Sequence, residues 1–249
     1  MLNIKKIFRN KNKKSYTGYK IIGENNKIIV IEEDGTEQEL PPGNVLPGLE
    51  ILIYGSNNVI KIHKPFNSIN STIQIGNFPE IQNNGAYIEI NSTSHFVSNL
   101  IIAAYGKNQK LYIGSGTTMR RAKINMPESS DIYIGNDCMF AGDVIIHGAD
   151  GHTIFDIYTG EICNAVVHQV RINEHCWIGD CCLILKNAII PKNSIVAAKS
   201  TVTKSFEGQD NILIAGHPAV IKKRGINWSI KSPSYYIDNS LSPLEEISC

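Results

Sequence analysis

The sequence has no apolar stretch that approaches the ~20 residues needed to cross a bilayer as a helix. Its first residues, MLNIKKIFRN, lack the apolar run and the small-residue cleavage site of a signal peptide. The chain also lacks an excess of either charge, because its 24 basic and 23 acidic residues leave a formal net charge of +1. We therefore expect a cytoplasmic protein with no general attraction for nucleic acid.

Cysteine occurs six times, but in no pattern that indicates a metal site or a disulfide framework. No C-x-x-C spacing is present, and disulfides are rare in the cytoplasm. Three cysteines, Cys138, Cys176 and Cys182, fall on small inward positions of a six-residue repeat, where packing explains them. We expect six reduced thiols and no metal.

The six-residue repeat dominates the second half of the chain. Between Ile172 and Val202 a β-branched residue returns at every sixth position, and a small residue follows most of them four places later. Neither a helix, with a period near 3.6, nor a single strand, with a period of 2, explains this spacing. Short strands joined by tight corners do, and stacked coils of this kind form a parallel β-helix, since one coil alone cannot bury its apolar face.

The simplest organisation is one elongated all-β domain. We expect the β-helix over residues 21–218, with irregular coils up to about residue 110, and a C-terminal tail over 219–249. Residues 1–20 contain seven basic residues and no acidic one. Two interpretations of this segment stay open: a solvated terminus, which we favour, and a tether to anionic lipid at the inner face of the membrane or to an acidic polymer.

The repeat is interrupted between Ile146 and Ile172, whose separation is not a multiple of six. A loop over residues 147–169 is therefore predicted to leave the coil, and loops on a rigid scaffold commonly carry chemistry. It contains His147 and His152, and histidine suits a general base because its ordinary pKa is ~6.5. Neighbouring aspartates could fix the tautomer of such a histidine; an ordinary surface histidine is the alternative.

Trp177 lies between two inward positions, so its side chain should point outward. A large exposed aromatic needs cover from another subunit, a tail or a ligand. Asp180 and Ala198 are eighteen residues apart, the length of one three-sided coil, and should stack on one face beside a groove for an extended ligand. Lysines further along the chain would suit phosphate groups at one end of that groove.

Four stretches of the chain resemble the hexapeptide-repeat acyltransferases: IGNDCMFAGDVII, ADGHTIFD, HCWIGDCCLILKNAIIP and STVTKSF…ILIAGHPAVIKK. Within that family they are most similar to sugar and polysaccharide O-acetyltransferases, including those that modify capsular polysaccharides such as polysialic acid. The likeness covers roughly Ile113 to Trp228. It implies a left-handed parallel β-helix with a protruding active-site loop, a homotrimer, acetyl-CoA as the donor and a carbohydrate acceptor.

The same resemblance assigns roles to residues. His152 matches the general base that deprotonates a sugar hydroxyl, and Trp177 matches the aromatic beside the acetyl-thioester. The substrate-side residues of simple-sugar acetyltransferases do not map onto residues 119–131, so the acceptor stays open; the charges of Arg120 and Arg121 themselves favour an acidic acceptor, and Asp150 is a further candidate for substrate binding. The positions that correspond to contacts with coenzyme A are Asp180, Ala198, Thr203, Lys204, Gly216 and Lys223. The basic residue that commonly follows the family's G-x-P-A is replaced by Val220.

Three other functions remain open on this scaffold. One is N-acetylation of a nucleotide-linked amino sugar. Another is a zinc hydratase that uses His147 and His152, although Trp177 has no role in it. The third is a non-catalytic scaffold that binds polysaccharide, which a failure to bind coenzyme A would favour.

Overall fold

The computed structural model describes residues 19–41, 44, 46–77, 81–93, 95–166 and 169–246. Nearly all of the predicted basic segment, residues 1–18, and Cys249 lie outside these described residues. Within the described part of the chain, no helix has the length and apolar character needed to cross a membrane.

Short strands form three sheets, which the chain visits in turn as it coils; all strand pairs are parallel except for one antiparallel strand at the edge of each of the first two sheets. Sheet I contains, in spatial order, β3 (Glu37–Glu39), β2 (Lys27–Ile31), β5 (Val59–His63), β9 (Tyr87–Ile90), β13 (Lys110–Ile113), β16 (Asp131–Ile134), β19 (Val170–Ile172) and β22 (Ile189–Ile190). Sheet II contains β6 (Ser68–Ile69), β10 (Val97–Ser98), β14 (Thr118–Arg120), β17 (Met139–Phe140), β20 (Trp177–Ile178), β23 (Ile195–Val196), β25 (Ile212–Gly216) and β26 (Ala219–Arg224). Sheet III contains β12 (Gly106–Lys107), β8 (Asn83–Asn84), β4 (Leu49–Ser56) with β1 (Tyr19–Ile22) beside it, β7 (Ser71–Ile75), β11 (Ile101–Ala104), β15 (Ala122–Met126), β18 (Val144–His147), β21 (Leu183–Ile184) and β24 (Thr201–Val202).

The inward residues of the repeat form the core, as predicted. Ile172, Ile178 and Ile184 on successive sheets are fully buried, and Ile178 pairs with Val196 one eighteen-residue coil later. Burial of each such side chain stabilises the fold by about 1.5–3 kcal/mol. The small inward positions hold Cys138, Cys176 and Cys182, all buried, and the five cysteines of the described residues are free thiols.

The corners of the regular coils share one backbone conformation. A residue with positive φ recurs at every sixth position, which turns the chain sharply between two sheets. Asparagine and aspartate tolerate this left-handed region better than most residues, and asparagine fills many corners elsewhere in the chain. In the last coils these positions, with φ between 54° and 65°, are His175, Cys181, Asn187, Asn193 and Lys199.

The early coils are longer than eighteen residues, yet their strands pair in register. Ile51 pairs with Ile73, and Ile73 pairs with Ile102, so the extra residues lie in the corners while the buried column continues. The irregular spacing in the sequence therefore reflects longer corners and not a loss of the coil.

The chain ends the β-helix with an antiparallel hairpin of β25 and β26. A tail follows, with a short helix α1 (Pro233–Asp238) that Ser232 caps, and a 3-10 turn at Pro243–Glu246.

Candidate active site

The interruption of the repeat is a loop between β18 and β19, of which the structure describes residues 148–166 and 169. His147, which we placed at its start, is instead the last residue of β18. Phe155 and Ile162 form an antiparallel bridge across the loop. Oδ1 of Asp156 accepts hydrogen bonds from the N–H groups of Tyr158 and Thr159, both at 2.8 Å, and these bonds lower the pKa of Asp156.

Three side chains attach the base of this loop to the β-helix. Nζ of Lys186 lies 2.5 Å from Oδ2 of Asp150 and donates to the backbone oxygen of Asn164 at 2.7 Å. Nδ2 of Asn164 donates to the same Asp150 oxygen at 2.8 Å. The pKa of Asp150 is lowered, first by the bond from Lys186 and then by the one from Asn164. Sequence reasoning missed Lys186 and Asn164, because their partners are 36 and 14 residues away.

The imidazole of His152 is exposed on this attached loop. Its backbone oxygen accepts a 2.8 Å hydrogen bond from Nδ2 of Asn164, which fixes the main chain beside it. Among the described residues none forms a hydrogen bond with the His152 ring. The expectation that Asp150 or Asp156 fixes its tautomer is wrong for this structure, because the bonds of both carboxylates go to other groups. Both ring nitrogens are therefore accessible to a substrate.

His147 has a different environment. Its ring is partly buried, and Nε2 lies 3.4 Å from Nδ2 of Asn125 on the neighbouring strand. Burial lowers the pKa of His147, and the nearby charge of Lys123 lowers it further, while Asp150 opposes the change. The ring is thus neutral near pH 7. In the described part of the chain, no group of three or more His, Cys, Asp or Glu side chains could hold a metal ion.

Trp177 points outward, as predicted, and is 38% exposed. Its cover comes from the C-terminal tail, where the indole of Trp228 lies 6.1 Å away at an interplanar angle of 47°. Trp228 stacks on His175 with ring centroids 4.5 Å apart. Nε1 of Trp228 donates to the His175 backbone oxygen at 2.8 Å, and Nε2 of His175 lies 3.1 Å from the Trp228 backbone oxygen. These reciprocal bonds attach the tail beside Trp177.

A column of outer residues leads from Trp177 towards the end of sheet II. Trp177 pairs with Ile195, Ile195 with Leu213, and Leu213 with Lys223. Three strand spacings separate the tryptophan from the lysine, a distance of roughly 14 Å. One face of the sheet therefore places an aromatic ring and an exposed ammonium group at the two ends of an extended surface.

The corner between sheets II and III brings several predicted residues together. Asp180 and Ala198 are both exposed there in successive coils, and the Lys199 N–H donates to the Asp180 backbone oxygen at 2.7 Å. Gly216 occupies the same corner one coil further on. Oδ1 of Asp180 accepts from the N–H of Gly142 at 2.8 Å. Ala198 is close to the coil below it, since a Cβ on Gly179 would lie 2.6 Å from the Ala198 nitrogen.

The two predicted arginines lie at this corner in an earlier coil. Both are exposed, and Nε of Arg121 lies 3.0 Å from Oδ1 of Asp143 in the next coil. The Arg120 backbone also lies close to the next coil, because a Cβ added to Gly142 would be 3.9 Å from the Arg120 backbone oxygen. Arg120 makes no ion pair with another described residue.

Thr203 and Lys204 lie elsewhere, at the corner between sheets III and I that follows β24. Because Ile184 pairs with Val202, Lys204 is one strand above Lys186 and the base of the loop. Its ammonium group lies 5.4 Å from the ring centroid of Phe206. The predicted site residues thus occupy separate corners of one chain, and no hydrogen bond or ring contact among the described residues joins His152 to Trp177.

Three curated proteins are similar in sequence to part of this chain. No protein-family model matches the chain. A polysialic acid O-acetyltransferase of Escherichia coli O1:K1 is 30% identical over 143 residues, which are 57% of this chain and 45% of that protein. One from Neisseria meningitidis is 32% identical over 122 residues, or 47% of this chain and 56% of that protein. A galactoside O-acetyltransferase of Lactococcus lactis is 31% identical over 48% of this chain and 54% of its own length. The chain therefore spans about half the length of the curated relatives it matches.

Two solved structures extend the likeness to 90% of this chain. The crystal structure of the polysialic acid O-acetyltransferase OatWY superposes with a TM-score of 0.70 at 27% identity, covering 90% of this chain and 97% of that one. The polysialic-acid-specific acetyltransferase NeuO superposes with a TM-score of 0.61 at 21% identity, covering 90% and 94%, and shows the fold alone. The predicted left-handed parallel β-helix is confirmed, and in sequence and fold the chain resembles the hexapeptide-repeat polysialic acid O-acetyltransferases.

Proposed function

We propose that this protein is an acetyl-CoA-dependent O-acetyltransferase that modifies a hydroxyl of a capsular polysaccharide such as polysialic acid. The observation that carries the proposal is His152. Its ring is exposed and unbonded within the described residues, while Asn164, Asp150 and Lys186 hold the loop beneath it. The likeness to OatWY and to two curated polysialic acid O-acetyltransferases supports both the reaction and the acceptor.

His152 acts as the general base. It takes the proton of an acceptor hydroxyl while the oxygen attacks the thioester carbonyl of acetyl-CoA, and the C–S bond breaks as the ester C–O bond forms. The proton is then passed to the departing thiolate, which gives free CoA and returns His152 to its neutral form. A general base contributes typically 10²–10⁴-fold to the rate. The Trp177 indole N–H or a backbone N–H stabilises the charge on the carbonyl oxygen in the transition state.

The donor lies along the coils, with its thioester near Trp177 and its phosphates near lysines. The N–H of Ala198 has no acceptor among the described residues and is available to the pantetheine arm. Asp180 and Gly216 lie at exposed or half-exposed positions of the corner between sheets II and III, and Thr203 is exposed at the corner between sheets III and I; at both corners a narrow ligand can meet the backbone. Lys204 and Lys223 supply positive charge for the phosphates.

A homotrimer completes the site in this proposal. His152 and Trp177 lie on separate parts of one chain, so a neighbouring subunit has to bring its own Trp177 towards the loop. The loop also exposes apolar side chains suited to such an interface, with Ile157 78% and Tyr158 90% exposed. The basic segment at residues 1–20 is the solvated terminus that we favour or, in the other interpretation, a tether that draws the cytoplasmic trimer to an acidic polymer or to the inner face of the membrane.

The test is release of CoA from acetyl-CoA, followed with a thiol reagent across a panel of acceptors. The panel contains polysialic acid, neutral capsular polysaccharides, simple hexosides and amino sugars. Release that depends on an acidic polymer is the expected result. Release with an amino sugar alone would replace the proposal with N-acetylation, and failure to bind CoA at all would replace it with a non-catalytic scaffold.

A further inference from the structure

The outer surface of sheet III contains a groove that none of the sequence-predicted residues lines. Its volume is about 320 Å³. The side chains that shape its floor and its polar rim belong to strands β7, β11 and β15 and to the corner after β11; they include Gln74, Ala103, Tyr105, Lys123 and Asn125.

The groove arises from one small residue between two longer ones. Ala103 on β11 pairs with Gln74 on β7 and with Asn125 on β15, so its methyl group forms a floor between two amide side chains. The two amides are two strand spacings apart, about 10 Å, which leaves room for a sugar ring between them. Asn77 and Ile81, joined by a 2.6 Å backbone hydrogen bond, form one wall.

The polar groups of the groove suit an acidic saccharide. Nε2 of Gln74 donates to the Gly76 backbone oxygen at 3.1 Å, and Nδ2 of Asn125 faces His147 Nε2 at 3.4 Å. Neither amide oxygen has a donor among the described residues, so both remain for sugar hydroxyls. Lys123 is exposed, and it makes no ion pair with any residue that the structure describes. Its ammonium group is therefore available to a carboxylate.

The groove also leads to the catalytic loop. Asn125 pairs with His147, and its backbone oxygen accepts from the N–H of Gly148, the first loop residue, at 3.0 Å. A Cβ on Gly151 would lie 3.9 Å from Cγ of Pro127, two residues after Asn125. Since His152 follows Gly151 directly, a chain that occupies the groove continues towards the proposed base.

We propose that this groove is an acceptor subsite that binds an acidic sugar unit, with Lys123 on its carboxylate and the Gln74 and Asn125 amides on its hydroxyls. The inference rests on the proposed function and adds the place where the polymer lies before it reaches His152. It concerns a sugar unit next to the one that reacts, so the groove contributes to binding and leaves the chemical step to the loop.

Two variants of the full-length protein test it. Lys123→Gln removes the charge, and Ala103→Leu fills the floor; both are outer positions, so the fold should persist. Lys110→Gln, an exposed lysine of sheet I, and Thr72→Leu, a sheet III position that does not line the groove, are the matched controls. Sialic acid oligomers and neutral dextran oligomers are titrated by calorimetry without acetyl donor, and KM and kcat for polysialic acid are then measured.

Loss of one charge-assisted hydrogen bond should weaken binding of the sialic acid oligomer on the order of tenfold. Both groove variants should raise KM with kcat nearly unchanged, and the controls should behave as wild type. Wild-type turnover with unaltered oligomer binding and KM in both groove variants would overturn the subsite and leave the proposed function standing. Binding of the oligomer that depends on Lys123, without turnover of any acceptor, would support the subsite and overturn the function.

Discussion

The indole rings of Trp177 and Trp228, the only two tryptophans of the chain, lie 6.1 Å apart. One belongs to the second sheet of the β-helix and the other to the C-terminal tail, and His175 holds them together by stacking and by two reciprocal hydrogen bonds. A ligand that touches Trp177 therefore changes the surroundings of both fluorophores.

Tryptophan fluorescence should report donor binding at Trp177. In Trp228→Phe, which leaves Trp177 as the single tryptophan, we expect CoA to change the emission in a saturable way. In Trp177→Phe the affinity for CoA should fall about tenfold, since an aromatic contact and its burial are lost. Equal CoA affinity in Trp177→Phe and wild type, measured by calorimetry, would remove Trp177 from the donor site.

The close contact between coils at Gly179 should make that position intolerant of a side chain. A Cβ there would lie 2.6 Å from the Ala198 nitrogen and 2.9 Å from the Val196 oxygen. Gly179→Ala should lower the free energy of unfolding by about 1–3 kcal/mol, because a packed backbone has to shift, and it should also weaken CoA binding. Thermal unfolding gives the first value and calorimetry the second.

Gly208→Ala is the comparison for that experiment. Gly208 has a φ of 72° and no atom within 4 Å of an added Cβ, so its substitution carries only the cost of the left-handed backbone. It should leave CoA binding unchanged. A Gly179→Ala protein as stable as wild type, with normal CoA affinity, would contradict the close packing of coils at this corner.

The pKa of His147 should lie below its ordinary value, chiefly because the ring is buried and next because Lys123 is near. Below pH ~6.5 the unfolded chain then binds a proton that the folded chain does not. The free energy of unfolding should thus decrease as the pH falls from ~6.5 to the folded pKa, and this contribution should be constant below it.

Proton NMR of the His147 ring tests this directly. Lys123→Gln should raise the pKa of His147, whereas Lys110→Gln should leave it unchanged. A wild-type His147 that titrates at or above pH 6.5 would show that the ring is more solvated than its position on β18 indicates.

The bond between Lys186 and Asp150 should control the order of the loop that carries His152. The pKa of Asp150 is lowered, so the carboxylate keeps its partners above its unfolded pKa of ~3.9 and loses them as the pH falls through the folded value. Lys186→Met should speed limited proteolysis within residues 148–169 at pH 7 and reduce kcat, with CoA affinity retained. Lys192→Met, whose Nζ lies 3.7 Å from an exposed Asp210 carboxylate, is the control. Identical proteolysis of both variants would count against the attachment.

The regular coils could be predicted because their chemistry repeats with the geometry. Each inward position after Ile172 accepts only an apolar or small side chain, so the period of six is visible in the sequence. The same periodicity places Trp177 outside and stacks Asp180 under Ala198, and both predictions are confirmed.

The early coils conceal their register, because Ile73 and Ile102 are 29 residues apart and corner length follows no period. Asparagines with positive φ, such as Asn70 and Asn99, are the signal that could have located those corners.

The contacts that hold the loop and the C-terminal tail in place could not be predicted, since they join segments that are distant in the sequence. Lys186 reaches Asp150 across 36 residues, and Trp228 reaches His175 across 53. Nothing in the local sequence distinguishes these residues from ordinary surface side chains. The role given to His152 and the contacts with CoA stay predictions, drawn from the resemblance and compatible with where the residues lie.

The most direct test of the proposed mechanism is His152→Ala, with turnover of acetyl-CoA and polysialic acid measured beside CoA affinity. His95→Ala, which removes another exposed histidine, is the matched control. We predict that His152→Ala loses about 10²–10⁴-fold in kcat, as expected for a general base, while its CoA affinity and thermal stability equal those of wild type. Turnover in His152→Ala equal to that of His95→Ala and wild type would contradict the central claim.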